Sequence, residues 1–364
     1  MLFRSELSQG VNIDVATGFT SSNFLLAPSK IQQGLRNTKV LSTDKTTLSG
    51  LSMKAFLLGA ENADLFIGAG PYFVDSNQDG VIDSSDTPST DAVGFQITNL
   101  DLGLGIFQTT KDSDPDKVIP KLFAMKAFAD SAGEVGLDVF DLEATGIEVL
   151  LNQGSVYKGQ TGTNKISPYL DFSTLQAGGL SIETGGSSQF LDFSESFLGL
   201  KAANAIIKID EFVYIEGGFL FQKGAKKKVN VKTGVNLLTG APLIPTFTEL
   251  QLKTDAVVSA DYTTITNLEV ESFDIALTNV NAFVGYGIPD FDIPLENQEI
   301  FGVAITDIDL GLSMMKVTEN LKNFPKFFGL KASAQEMKLL LGLDFFELST
   351  SKIALEINHS SGWK

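Results

Sequence analysis

Between Asp75 and Asp86 the chain reads Asp-Ser-Asn-Gln-Asp-Gly-Val-Ile-Asp-Ser-Ser-Asp, the one stretch where oxygen ligands arrive at a spacing that chemistry can use. Side-chain oxygens of Asp75, Asn77 and Asp79 fall at positions 1, 3 and 5, and Gly80 follows at 6. The Val81 carbonyl comes at 7, Asp83 at 9 and Asp86 at 12. Oxygen is the donor that hard cations prefer, and glycine permits the sharp bend that such a loop needs. The alternative for the same residues is an acidic, solvated loop.

No other group of residues makes a comparable set. His359 is the sole histidine and lies in the last residues of the chain, where a nucleophile–base pair would have to be built in an apparently frayed tail. Carboxylates two apart on a strand share a face, as in Asp141 with Glu143 and Asp307 with Asp309, and could form an acid/base pair. The polar outer face of an alternating strand accounts for them equally well. Gly-containing runs at 68–70 and 102–105 precede no helix and are weak phosphate loops. Lys226, Lys227 and Lys228 read as a charged turn or an edge guard between strands. Asp101 and Asp309 recur in "LDLGL" and "IDLGL", which favours a structural hydrogen bond over a second metal site.

Composition bounds the partners. With 27 Lys+Arg against 44 Asp+Glu the net charge is -17, so nucleic acid and acidic membrane surfaces are repelled and cations are the better ligands. Hydrophobic residues make up 43% of 364, enough for a substantial core. There is no cysteine, which removes disulfides, thiolate metal sites and thiol nucleophiles together. No run reaches the roughly 18 apolar residues of a membrane helix, and the first residues lack the apolar stretch of an export signal. The expectation is a processed or excised piece of a longer exported protein, with no membrane insertion.

Apolar spacing sets the elements. In residues 135–151 the apolar positions are Val135, Leu137, Val139, then Leu142, Ala144, then Ile147, Val149, Leu151. Steps of two mean strand, and each step of three inserts one residue to turn a corner or form a bulge. Residues 341–357 repeat this rhythm, and Ile265, Leu268, Val270, Phe273, Ile275 and Leu277 carry it too. Helix is expected only over 316–328 and near Ala202. Glu216–Phe219 reads as a hairpin cue.

The rhythm belongs to a duplication. "GFQITNLDLGLGIFQ" from Gly94 matches "GVAITDIDLGLSMMK" from Gly302, an offset of 208 (94 to 302). "GLDVFDLEATGIEVLLN" matches "GLDFFELSTSKIALEIN" with Asn152 against Asn358, an offset of 206 (152 to 358), and a weaker echo starts at Phe197. Tandem units that bury one another's faces predict an all-β, elongated, β-solenoid-like array, divided into a first unit at 1–175 and a second at 176–364. The alternatives are two tandem β-sandwich domains or a barrel. An outer-membrane barrel is disfavoured because strands interrupted every few residues look too short to cross a bilayer.

Over its 12 residues the 75–86 loop resembles the EF-hand calcium loop, in the form with Asp in place of Glu at position 12 found in dockerins. The resemblance implies Ca2+ as cofactor, with Asp75, Asn77, Asp79, Val81, Asp83 and Asp86 as ligands. The flanks read as strand and Pro-containing loop, so the flanking helices of an EF-hand are not expected. The loop lengthens only the first copy: Gly70 to Gly94 there answers to the shorter Gly287 to Gly302 in the second. A metal in such an insertion closes it locally, a staple more than a site shared by both copies.

The whole chain resembles, in style, segments of very large exported repeat proteins of bacteria: surface, adhesin and filament-type proteins. That resemblance implies an extracellular or cell-surface structural module that is non-catalytic and stabilised by calcium. Its partners would be itself or neighbouring repeats, and surface glycans are a further candidate. A glycan-binding module and a β-helix enzyme acting on polysaccharides are the alternatives.

Overall fold

The computed structural model describes residues 2–70, 73–81, 86–89, 91–136, 140–160, 165–236, 238–239, 241–318, 324–341 and 348–363. The chain begins with β1 (Leu2–Ala16), a short α1 (Ser21–Phe24) and α2 (Ser29–Asn37). Then come β2 (Thr47–Ala69), β3 (Phe73–Val74), β4 (Thr87–Pro88), β5 (Val93–Thr109), β6 (Leu122–Val135) and β7 (Phe140–Gly154). The central stretch holds β8 (Tyr169–Asp171), β9 (Leu180–Glu183), β10 (Ser188–Leu191), β11 (Phe197–Ile209) and β12 (Val213–Lys232). Last come α3 (Ile244–Lys253), β13 (Val257–Val258), β14 (Thr264–Tyr286), β15 (Phe301–Val317), β16 (Phe327–Leu340) and β17 (Leu348–Ser360).

The all-β expectation holds. Thirteen strands form one sheet, in the order β17-β16-β15-β14-β12-β11-β7-β6-β5-β2-β1-β8 with β13 beside β14, and it does not close on itself. Neighbours pair antiparallel throughout, so the array grows hairpin by hairpin. A solenoid's stacked coils are not among the described pairings, and the two copies of the repeat share one sheet. Among the described residues no helix is long and apolar enough to cross a membrane.

The steps of three in β2 and from Ile265 to Leu268 in β14 coincide with register shifts, whereas those at Gly146 and Lys352 are left-handed residues in unshifted ladders, and the steps that begin at Val139 and Phe345 start outside the described residues. In β2 the buried residues are Leu48, Leu51, Met53, Ala55, Leu57, Gly59, Ala60 and Ala63. The steps from Leu48 to Leu51 and from Ala60 to Ala63 straddle Gly50 and Asn62, both at positive φ (62° and 51°). Each such residue adds one position and lets alternation resume on the same face. Strands therefore run through their interruptions for 13 to 23 residues, and the length objection raised above against a barrel disappears.

These irregular positions line up across the sheet, with register shifts in the β2–β5, β11–β12, β12–β14 and β14–β15 pairs. Asn62 in β2 neighbours Asn99 in β5, and Asp130, Gly146, Ala203 and Gly217 continue the line through β6, β7, β11 and β12. Asn279, Asp307, Gln335 and Lys352 carry it through β14 to β17. Positive φ recurs along it, at Asn99 (51°), Gly146 (58°), Asn279 (50°), Asp307 (53°) and Lys352 (58°). Where a bulge turns an N–H out of the ladder, a side chain on the next strand takes it. Asn62 N–H donates to Asp101 Oδ1 (3.0 Å), and its counterpart Asn279 donates to Asp309 Oδ1 (3.1 Å). Asn99 N–H donates to Asp64 Oδ1 (3.0 Å), and Asp307 N–H donates to Asn281 Oδ1 (3.0 Å). The recurring aspartates are thus structural hydrogen-bond acceptors. Asn and Asp also tolerate the left-handed backbone better than other side chains.

The duplication reaches further than the sequence showed. β2 and β14 superimpose at an offset of 217 (62 to 279). The turns before them match bond for bond. Ser42 and Ser259 hydroxyls each donate to the aspartate two residues on (2.6 Å), and Thr47 and Thr264 amides each return to the serine oxygen (3.0 Å). Those serine hydroxyls are the largest influence holding Asp44 and Asp261 below the usual carboxyl range. Each copy places a helix over the sheet just before this turn. α2 buries Ile31 and Leu35, and α3 buries Phe247 and Leu250. Neither helix is where the sequence placed one: Lys316, Val317, Phe327 and Phe328 at the ends of 316–328 lie in strands, as does Ala202, and residues 319–323 lie outside the described residues.

Both copies also set a glycine pair face to face, Gly68 with Gly94 and Gly285 with Gly302. A Cβ at any of the four would meet the partner's backbone, and the rings of Phe66 and Phe283 crowd Gly68 and Gly285. One difference separates the copies. In the first, the β9–β10 hairpin lies over β2 and β5, burying Ile182 and Leu191 against Leu57 and Phe107. Gly103 and Gly105 in β5 leave the room it needs. In the second copy the same positions carry Ser272, Asp274 and Ser313, which bond to one another (2.9 Å and 2.6 Å) and to Lys227 (2.7 Å). Phe273, expected on the buried row, lies on the opposite face against Phe221.

Replacing Asn62 or Asn279 by Ala is expected to cost about 1–2 kcal/mol, the penalty for a left-handed non-glycine residue. Replacement by Gly should cost clearly less, and urea denaturation of the four variants distinguishes the two outcomes.

Candidate metal loop

β2 ends at Ala69, and Gly70 (φ 83°) turns the chain away from the sheet. β3 and β4 then pair as a two-rung ladder, Phe73 with Pro88 and Val74 with Thr87, which closes the base of the 75–86 loop. Strands thus flank the loop on both sides, as the sequence suggested.

Within the loop, backbone amides turn inward onto the side chains that precede them. Gly80 N–H donates to Asp75 Oδ2 (3.1 Å), Asp79 N–H to Asn77 Oδ1 (2.9 Å) and Val81 N–H to Asp79 Oδ1 (2.7 Å). The last two are Asx turns, in which the side-chain oxygen accepts from the amide two residues on, and the first closes a wider five-residue loop. Left-handed backbone at Gln78 (φ 61°) and Gly80 (φ 81°) makes the tight winding possible, and nothing occupies the space where a Gly80 Cβ would project. Asp86 is 7% exposed, and its Oδ1 accepts from Ser76 N–H (3.0 Å), tying the end of the loop to its start.

Asp75, Asn77 and Asp79 are therefore joined in one hydrogen-bonded turn, and Asp86 stands at its base. Asp83 lies outside the described residues. Among the described residues no group of three or more His, Cys, Asp or Glu side chains converges as a metal-holding set. One atom stands out. Asp75 Oδ1 is buried and accepts no hydrogen bond among the described residues, while Oδ2 of the same carboxylate is engaged. A buried carboxylate oxygen without a donor is costly, and a bound cation would satisfy it.

The remaining sequence candidates are held in structural roles. Asp141 pairs with Lys208 (2.8 Å) across β7 and β11. Lys226, Lys227 and Lys228 are not in a turn. They lie inside β12 and reach Glu269 (3.9 Å), Asp274 (2.7 Å) and Asp255 (3.9 Å). His359 is not in a frayed tail but in β17, opposite Phe328. The Gly217 hairpin cue is a bulge within β12.

Sequence reasoning missed one functional position. Asn152 is fully buried, and its Nδ2 donates to the carbonyls of Leu170 (2.8 Å) and Glu195 (2.7 Å), holding β8 and the lead-in to β11 against β7. The available signal was its recurrence as Asn358 in the second copy. A comparison with protein-family models found no match, and neither curated proteins nor solved structures gave one.

Asp75→Ala removes the acceptor of Gly80 N–H. That amide should exchange with deuterium roughly 2- to 10-fold faster in chelator, the range for one lost hydrogen bond worth about 0.5–1.5 kcal/mol. Unchanged exchange would show that the turn forms without it.

Proposed function

We propose that this chain is a non-catalytic structural module of an extracellular bacterial surface, adhesive or filament-forming protein, built from an elongated tandem array and stapled by calcium. The observation that carries the reading is the buried Asp75 Oδ1, without a donor among the described residues, inside a turn closed by side-chain bonds from Asp75, Asn77 and Asp79 to backbone amides. A hard dication suits that oxygen, and Asp75, Asn77, Asp79, the Val81 carbonyl, Asp83 and Asp86 supply oxygen only. The loop sits in one copy, off the end of β2 and β5, where a bound ion orders an insertion without reshaping the sheet.

The structural side of the reading is supported by the sheet itself. Two copies of one unit add strands to a single surface, a design in which length is the product. The acidic surface disfavours nucleic acid, and Asp141 of the carboxylate pair Asp141–Glu143 is engaged in an ion pair with Lys208 (2.8 Å), which favours a structural role for it. Self-association or contact with neighbouring repeats is the corresponding partner class.

Calcium at a hundredfold excess over its Kd should stabilise the fold by about 2.7 kcal/mol. The melting temperature should rise with calcium and return with chelator, and Asp75→Ala with Asp79→Ala should abolish the difference. Melting that ignores both calcium and chelator would overturn the calcium part of the reading. Particle size followed in the same samples reports on assembly.

A further inference from the structure

The two copies differ at their outer flank. In the first, β7 has β6 on one side and β11 on the other, paired from Phe197–Asn152 to Ile209–Phe140. In the second, β16 pairs with β17 in the same way, and the other edge of β17 carries no strand among the described residues. β17 is the counterpart of β7 at an offset of 206 (152 to 358). What β11 covers in the first copy is therefore bare in the second. Val149 and Leu151 are half-buried, whereas their counterparts Leu355 and Ile357 are 50% and 40% exposed. Asn152, which clamps the lead-in to β11, is fully buried, whereas Asn358 is exposed.

A long edge with apolar side chains is a template for strand addition, and such edges are ordinarily blunted by proline, a bulge, inward charge or a covering element. Left-handed Lys352 in β17 is no bar, because β11 pairs past its counterpart Gly146 in β7. β17 has no proline. The adjoining face makes no such demand, because Ser272, Asp274, Ser313 and Lys227 satisfy one another where the first copy needs the β9–β10 hairpin. The want is for a strand and not for a covering layer.

We propose that the outer edge of β17 accepts a β11-type strand from a further copy of this repeat. The strand pairs antiparallel in the register that β11 uses on β7, with Asn358 holding its lead-in. This rests on the reading of the chain as one module of an array and names the contact that joins it to the next. The β11 sequence itself suits the task. Its Gly199-Leu-Lys-Ala echoes Gly329-Leu-Lys-Ala of β16, so β7 is flanked by two strands of one type and β17 by one. Moved by the same offset, the β7–β11 pairs Glu148–Lys201 and Thr145–Asn204 place Ala354 opposite position 201 and Ser351 opposite position 204.

The chain has no cysteine, so single-cysteine variants report one contact each. The probe is a synthetic peptide of residues 195–209 carrying Lys201→Cys or Asn204→Cys, mixed under mild oxidation with full-length Ala354→Cys or Ser351→Cys protein. Disulfide should form several-fold faster for the in-register pairs 354/201 and 351/204 than for 354 with a peptide carrying Ala205→Cys. A melting profile like that of the parent verifies that each variant is folded. No disulfide in either in-register pair, or equal rates in and out of register, overturns the proposal. If the in-register disulfides form in a protein whose melting ignores calcium, the edge assignment stands and the calcium staple falls. Register-blind crosslinking in a protein that does respond to calcium removes the edge assignment alone.

Discussion

An antiparallel sheet tolerates an extra residue only if the amide that leaves the ladder finds another acceptor, and this structure meets that condition strand after strand. Asn62, Asn99, Asn279 and Asp307 leave the ladder in left-handed backbone, and Asp101, Asp64, Asp309 and Asn281 on the neighbouring strands receive their amides. Two demands meet at one short side chain type. Asn and Asp endure positive φ, and their oxygens reach across one strand spacing. Without those captures a strand of 23 residues would slip out of phase, and its buried row would turn to solvent.

The same device explains how a duplicated unit can join into one sheet. Because each copy carries its bulges at matching heights, the line continues from β2 to β17, and the β11–β12 hairpin bridges the copies at the same level. Divergence then occurs away from the line. The first copy added an acidic loop between β2 and β5 and roofed its face with β9–β10. The second replaced the roofed residues with a polar cluster around Asp274 and kept a shorter connection between Gly287 and Gly302.

Much of this was legible before any coordinates. The step from Ala144 to Ile147 announced the left-handed residue at Gly146, and the step from Thr350 to Ile353 announced the one at Lys352, because one added residue lets a period of two skip and resume. Asp101 and Asp309 could be read as hydrogen-bonding residues from their recurrence. Other features were hidden. Strand interruption looked like strand ending, since sequence does not distinguish a bulge from a corner when both place a polar residue among apolar ones. Phe273 was put on the wrong face because the apolar row of β14 passes to the other side of the sheet where Ser272 and Asp274 take over. The helices escaped because α2 is short and polar and α3 follows a proline, so that neither has a long apolar stripe.

The sequence by itself determined the strand period, the bulge positions, the duplication and the oxygen ladder of 75–86, because each is a matter of residue type at fixed spacing along one chain. Tertiary structure alone decided that the strands pair as an open antiparallel meander, that one copy is roofed and the other is not, and that Asp75 Oδ1 is buried without a donor among the described residues. It also decided that β17 presents an edge where β7 presents none. Pairing partners and burial depend on residues far apart in the chain meeting in space, and the local alternation that makes a strand is the same whichever neighbour it finds.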